Sequence, residues 1–164
     1  MSPLTIRAFA PGDELAICDI YNPYILGSTA TFEEVPLQPA EMRERIDRYR
    51  AHHPWLVCEE EGRIVGYSYA RPYHERAAYR HTVELSVYIR QGHGGRGIGR
   101  LLYTPLIDHL QANGCHALMA VISLPNAASV ALHESLGFVK VGHLREVGRK
   151  FDRWLDIGHW QRLL

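Results

Sequence analysis

The feature that most limits what this chain can become is the run HTVELSVYIRQGHGGRGIGRLLY at residues 81–103. Val83, Leu85, Val87 and Ile89 alternate with Thr82, Glu84, Ser86 and Tyr88, the period-two pattern of a strand. Five glycines follow between 92 and 99, after which Ile98, Leu101, Leu102, Leu106 and Leu110 recur at helical spacing until Asn113-Gly114 ends the run. Read alone, a glycine-rich segment is an ordinary surface loop. Set between a strand and a helix it becomes a cradle. Without Cβ, backbone N–H groups approach a ligand closely, and the first helical turn adds unpaired N–H groups at the positive end of its dipole. The guest such a cradle suits is a phosphate or pyrophosphate, and one carboxylate, Glu84, stands on the strand beside it.

Spacing weakens two standard readings of the loop. Gly92-x-Gly94-x-x-Gly97 matches the dinucleotide fingerprint, but that fingerprint also needs an acidic residue about 20 positions on to hold a ribose. The next strand, CHALMAVIS, has none. A Walker A loop needs Gly-Lys followed by Ser or Thr, and the only lysines are Lys140 and Lys150.

Arg96-Gly97-Ile98-Gly99, between strand and helix, resembles the acyl-CoA loop of the GCN5-related N-acetyltransferases (GNAT), whose pattern is Gln or Arg, two residues, Gly, one residue, then Gly or Ala. Here the Gln or Arg position is Gly94. Farther on, LPNAASVALHESLGF (124–138) resembles the family's second motif, with Asn126 before the helix and Leu136-Gly137-Phe138 after it. Across nearly the whole chain, IYNPYILGSTATF, HPWLVCEEEGRIVGYSYA, TVELSVYIR and VGRKFDRWLDIGHWQ are similar to the branch that acetylates phosphinothricin and methionine sulfoximine. The resemblance implies a single N-acetyltransferase domain over residues 1–164. It also implies an α/β (α+β) fold with a central mixed, mostly antiparallel sheet flanked by helices, acetyl-CoA as co-substrate, and a homodimer. Trp154, Ile157 and Trp160 could form an apolar interface or belong to the core.

Acetyl transfer to an amine requires a fixed thioester and an attacking nitrogen stripped of its extra proton. Glu84 is the candidate base, directly or through water; the plain alternative is a solvent-facing strand carboxylate. His133 stands where many members of the superfamily carry a tyrosine. An imidazole of pKa about 6.5 suits protonation of the leaving thiolate at neutral pH, unless the ring is simply bonded to a neighbour. The resemblance further implies that Val87, Tyr88 and Ile89 meet the pantetheine and acetyl group through backbone groups. Gly95, Arg96, Gly97, Ile98, Gly99 and Arg100 hold the pyrophosphate, and Asn126 contacts the CoA arm. For the acceptor it implies Arg76 and Tyr79 of PYHERAAYR, with Phe32 and Tyr103; a guanidinium at Arg76 suits a carboxylate, hence an amino-acid substrate. Two other readings stay open. One is a non-catalytic acyl-CoA sensor, which the Gly94 departure permits. The other is acetylation of peptide N-termini or of a polyamine, the latter disfavoured by Arg76 and Arg80.

The remaining features exclude more than they assign. With 164 residues and 46% hydrophobic content, the chain is long enough to bury one real core. No run approaches the ~20 apolar residues of a membrane span, and no basic-then-apolar leader opens the chain, so a cytoplasmic location is expected. The formal charge of zero, with arginines spread along the chain, leaves no footprint for nucleic acid. EMRERIDRYR reads as the wet face of a helix. Cys18, Cys58 and Cys115 lack paired spacing and read as buried thiols. The ten histidines offer no i, i+4 pair with a carboxylate, so no metal is expected. The predicted elements are a strand at 4–9, helices near 13–26 and 39–52, and two strands about the Glu61-Gly62 turn. Beyond them come a strand at 82–90, a helix at 97–113, a strand at 116–122, a helix at 126–136, and strands near 138–146 and 154–162. Pro105 inside a helical pattern predicts a kink.

Overall fold

The computed structural model describes Ser2–Leu164. Strand β1 (Leu4–Ala8) leads to helices α1 (Glu14–Gly27) and α2 (Pro39–Arg50), and strands β2 (Trp55–Glu60) and β3 (Arg63–Pro72) form a hairpin. A short 3-10 turn at Ala77–Tyr79 precedes β4 (Thr82–Ile89), α3 (Ile98–Ala112), β5 (Ala117–Leu124), α4 (Ala127–Ser135), β6 (Val139–Lys150) and β7 (Arg153–Leu163). The strands make one mixed sheet in the order β1-β2-β3-β4-β5-β7-β6, flanked by α1–α4, which is the expected architecture. Every neighbouring pair is antiparallel except β4 with β5. A parallel pair needs a crossover of roughly a dozen or more residues. The glycine loop and α3 are that crossover.

Strand alternation sorts the core onto two faces. Val57 and Tyr67 join Ile17, Ile20, Ile25, Met42 and Ile46 beneath α1 and α2. Cys58 and Val65, their neighbours of opposite parity, pack with Ile98 and Leu102 of α3. The larger cluster joins α3 through Tyr103, Leu106 and Leu110 to Val83, Leu85, Leu118, Phe138 and Trp160. Gln38 and Glu41 form a capping box at the start of α2, with Gln38 N–H donating to Glu41 Oε2 at 2.7 Å, and Pro39 takes the first helical position.

One element, β6, differs clearly from its sequence pattern. β6 continues to Lys150, beyond the expected 146. Its register slips between Leu144 and Gly148, where Glu146 takes φ 53° and donates its N–H to Asp156 Oδ1 at 2.8 Å. An irregularity of this kind breaks the alternation while the strand goes on. α3 runs through Pro105 as one helix, with Pro105 and Leu101 both on its exposed side. The carbonyl that Pro105 leaves without a donor therefore faces water. No helix among the described residues is long and apolar enough to cross a membrane.

Candidate active site

β4 and β5 pair over only three positions, Thr82–Glu84 against Ala117–Met119. On its other edge β4 stays paired with β3 as far as Ile89. Past Glu84 the parallel strands part, leaving one edge of β4 without a strand partner. A cleft of about 600 Å³ opens there, lined by Leu85–Ile89, by residues 120–123 of β5, by the glycine loop and by α4. A free strand edge presents N–H and C=O groups at regular spacing, so it can hold an amide-bearing chain much as it would hold another strand. Tyr24, from α1, lines the same cleft and donates its hydroxyl to the Ile89 carbonyl at 2.6 Å.

The expected cradle lies at one end of this cleft. Gly97, just before α3, sits at φ 76°, ψ 5°, a left-handed conformation that aims the following N–H groups into the loop's concavity. Gly99 is required by contact: a Cβ there would lie 2.8 Å from Leu132 Cδ2, so α3 and α4 meet at this glycine. Gly95, Gly97, Ile98, Gly99 and Arg100 all line the cleft. Arg96 does not. Its guanidinium grips Glu60 at the end of β2, with Nη1 at 3.0 Å and Nη2 at 2.6 Å from the two carboxylate oxygens. That pairing raises the Arg96 pKa and lowers that of Glu60. Arg100 donates Nη2 to the Ser135 carbonyl and hydroxyl, fastening α3 to α4. Asn126 lines the cleft and caps α4, its Oδ1 accepting the Ser129 N–H at 3.2 Å.

A second cleft of about 720 Å³ lies on the sheet face covered by α1 and α2, and it shares Ala30, Ser86, Tyr88, Val121 and Ser123 with the first. Glu84 lines this second cleft, receiving a hydrogen bond from Arg71 Nη2 at 2.9 Å; the two are register partners across β3 and β4. Phe32 lines it as well, its ring seated on Gly148, where a Cβ would come within 2.3 Å. Arg76 and Tyr79, expected at the acceptor, lie outside both clefts on the exposed segment around the 3-10 turn. Arg71, Arg45 and Arg48 do line the second cleft, with Arg45 held bidentately by Glu33 at 2.7 and 2.6 Å. The reading of EMRERIDRYR as a wet helix face holds at Arg48 and Arg50, which are exposed, while Arg45 is half-buried because the loop carrying Glu33 pairs with it. Arg71 did carry a sequence signal. Tyr67, Tyr69 and Arg71 alternate along GYSYARP and put two aromatics and a cation on one strand face.

His133 is buried at 3% exposure and lines the first cleft. Its Nδ1 lies 2.7 Å from the Ser129 carbonyl, which can only accept, so the ring proton sits on Nδ1. Nε2 then accepts from the Tyr103 hydroxyl at 3.2 Å. Burial lowers the His133 pKa, against the opposing pull of the Ser129 carbonyl, and burial raises that of Tyr103 well above the ordinary phenol range. The pair is thus neutral at pH 7, with a hydroxyl proton held between phenol and imidazole. Tyr103, expected on the acceptor side, belongs to the floor of the first cleft with His133.

Comparison with known proteins agrees with this geometry. Residues 6–159 match the acetyltransferase (GNAT) domain family. The phosphinothricin N-acetyltransferase of Streptomyces viridochromogenes is 44% identical over 160 residues, covering 98% of this chain and 87% of its own. The L-methionine sulfoximine/L-methionine sulfone acetyltransferase of Salmonella typhimurium is 38% identical over 162 residues, covering 96% and 93%. Among solved structures, a phosphinothricin acetyltransferase from Sinorhizobium meliloti in complex with acetyl-CoA superposes with a TM-score of 0.95 at 37% identity, over 100% of this chain and 89% of that one.

Proposed function

This chain belongs to the GNAT acetyltransferase family, and from that premise we propose that it transfers the acetyl group of acetyl-CoA to the free amine of a small amino-acid analogue of the phosphinothricin, methionine sulfoximine or methionine sulfone type. The observation that carries this reading is the junction of the two clefts. Where β4 leaves β5, Ser86 and Tyr88 face both, and Glu84 stands at the last paired position. In this reading the pantetheine arm lies along the free edge of β4 at Val87–Ile89, its pyrophosphate rests on the loop at 95–100, and Asn126 steadies the arm from α4. The acceptor enters from the side of Phe32 and Arg71. Its carboxylate is held by Arg71, the role the sequence reading gave to Arg76, with Arg48 on the same wall.

Chemistry follows from those positions. The amine nitrogen attacks the thioester carbonyl carbon, a C–N bond forms, and the electron pair moves to oxygen. When the carbonyl re-forms, the C–S bond breaks. Glu84 first takes a proton from the ammonium, directly or through water, to free the attacking lone pair. The thiolate then receives a proton from the Tyr103 hydroxyl held by His133, and the second proton shed by nitrogen as the amide forms restores that hydroxyl through water. Transfer is direct. Cys58 and Cys115 are buried, and burial pushes both thiols above their usual pKa, so neither offers a thiolate to carry the acetyl group. The three cysteines are free, which suits a cytoplasmic enzyme. The functional unit is a homodimer, a reading supported by the apolar side chains left exposed on β6 and its turn.

The test is thiol release from acetyl-CoA over a panel of amino acids, their phosphinate, sulfoximine and sulfone analogues, polyamines and peptides. Turnover is expected with the analogues and not with polyamines. Glu84→Gln is expected to lower kcat at pH 7 about 100-fold or more, with part of the loss recovered as rising pH supplies free amine. Undiminished turnover of this variant at pH 7 would remove Glu84 from the role of base.

A further inference from the structure

The glycine loop has almost nothing packed against it. At Gly92, Gly94, Gly95 and Gly97 a Cβ would meet no atom within 4 Å, so no side-chain contact at these positions holds the loop in shape. Chain entropy works against a loop of this composition keeping its N–H groups aimed at a ligand. One side chain does reach out of it. Arg96 makes a two-pronged ion pair with Glu60, a residue 36 positions earlier, at the end of β2. The side chains of Arg96 and Glu60 are 24% and 16% exposed, and the fork-to-carboxylate geometry fixes direction as well as distance. His93, the cleft-lining residue on the other side of Gly94 and Gly95, places Nε2 3.9 Å from the same carboxylate.

We infer that Glu60 and Arg96 form a latch that fastens the glycine loop to the sheet and holds its backbone ready for the CoA pyrophosphate, making Glu60 a positioning residue for the co-substrate although it lies outside the cleft. Arg96 acts through its pairing and not by touching phosphate. Its side chain is aimed away from the cleft that its loop neighbours line. The latch also accounts for how this loop works with glycine at 94, where the family pattern has a side chain that would order the loop from within. That acetyl-CoA is the loop's ligand rests on the function proposed above.

A double-mutant cycle separates the latch from a direct phosphate contact. For a latch, Glu60→Gln and Arg96→Met each weaken CoA binding by about tenfold, and the double variant is no worse than either single one. KM for acetyl-CoA rises in step, while KM for the acceptor and kcat at saturating acetyl-CoA hold. The charge-swapped protein, Glu60→Arg with Arg96→Glu, recovers most of the affinity. If Arg96 instead bound phosphate, freeing it from Glu60 would leave binding unchanged or tighter in Glu60→Gln, and the swap would stay as weak as Arg96→Met. Either result overturns the inference, as does an additive double variant. Hydrogen exchange over residues 91–98 of the full-length protein without CoA provides a readout independent of the ligand. Both single variants are expected to exchange faster there and nowhere else, and unchanged exchange overturns the latch. A wild-type protein that failed to bind CoA would sink the proposed function, and the exchange measurement would still decide the latch.

Discussion

Gly94 is the single residue at which the loop departs from its family's pattern, and its surroundings say what the departure costs. No atom lies within 4 Å of a Cβ built there, and its φ lies outside the left-handed region, in contrast to Gly97 at φ 76°. A glutamine fits without strain. It narrows the loop's unbound ensemble, worth about 1 kcal/mol, and brings an amide donor to the rim of the cradle. Gly94→Gln is therefore expected to tighten CoA binding by about fivefold by titration calorimetry. Gly97→Ala, which forces Cβ into the left-handed region, is expected to loosen it. Equal affinities for wild type and Gly94→Gln would mean that the latch at Glu60 already orders the loop fully. Residues whose placement depends on local order were legible in the sequence: Glu84 from strand alternation, Gly97 and Gly99 from the loop pattern, Asn126 from its place before a helix. Residues defined by a distant partner were not. His133 reads in the sequence as an acid or as a ring bonded to a neighbour, and only folding shows Tyr103, 30 positions away, on its Nε2. Arg76 is prominent in PYHERAAYR, yet it is Arg71, set opposite Glu84 by the β3–β4 register, that reaches the cleft.

Among the elements, β6 was the hardest to read and carries an unexpected duty. Its sequence hides a continuous strand behind the slip at Glu146. Its turn hides too, because Phe151 and Asp152 take φ 51° and 56° with no glycine or asparagine to announce them. The last residue of the strand, Lys150, is 3% exposed, and its Nζ donates to the carbonyls of Ser28 at 2.7 Å and Thr31 at 2.8 Å, with Tyr24 at 3.4 Å. The ammonium thus closes the C-terminal end of α1, where helix carbonyls lack partners and the dipole favours a cation. It also pins the segment at 28–31 that delivers Phe32 to the second cleft. Replacing Lys150 with methionine keeps the stem but leaves those carbonyls without their donor. Lys150→Met is expected to lower stability by about 2–3 kcal/mol in a denaturant titration. It is also expected to raise KM for the acceptor more than for acetyl-CoA, since Thr31 and Phe32 line only the second cleft. Equal changes in the two KM values would show Lys150 to be a general brace and not a support for that loop.

The whole molecule is a sheet nearly cut in two. β1–β4 and β5–β7–β6 are joined by three parallel pairings at Thr82–Glu84, and the short seam is what lets a cleft pass between the halves. Helices α1 and α2 pack on the first half and α3 spans the seam to Leu118 and Trp160, while the outer edge of β6 is left bare. Val139, Val141, Leu144 and Val147 are between 39% and 62% exposed, with Phe151 and Trp154 at 52% and 62% by the turn. A long, apolar edge strand is a template for pairing with other chains, so folded proteins shorten it, charge it or cover it. Here it is long and only partly charged, which leaves covering, and a second copy of the chain is the occupant we propose. The three residues grouped in the sequence as interface or core part company, with Ile157 half-buried on the wall of the second cleft. Trp160 is buried and donates Nε1 to Glu134 at 3.2 Å, whereas Trp154 is open. Val141→Asp combined with Trp154→Asp places two charges on this edge without touching either cleft. Sedimentation equilibrium at about 10 μM is expected to give twice the chain mass for wild type and a shift toward monomer for the variant. A stability loss that depends on protein concentration should accompany the shift, because dissociation and unfolding are linked by mass action. A wild-type chain that sediments as a monomer throughout this range, or a doubly charged variant that still dimerises as tightly, would place the subunit contact elsewhere and leave the bare edge of β6 unexplained.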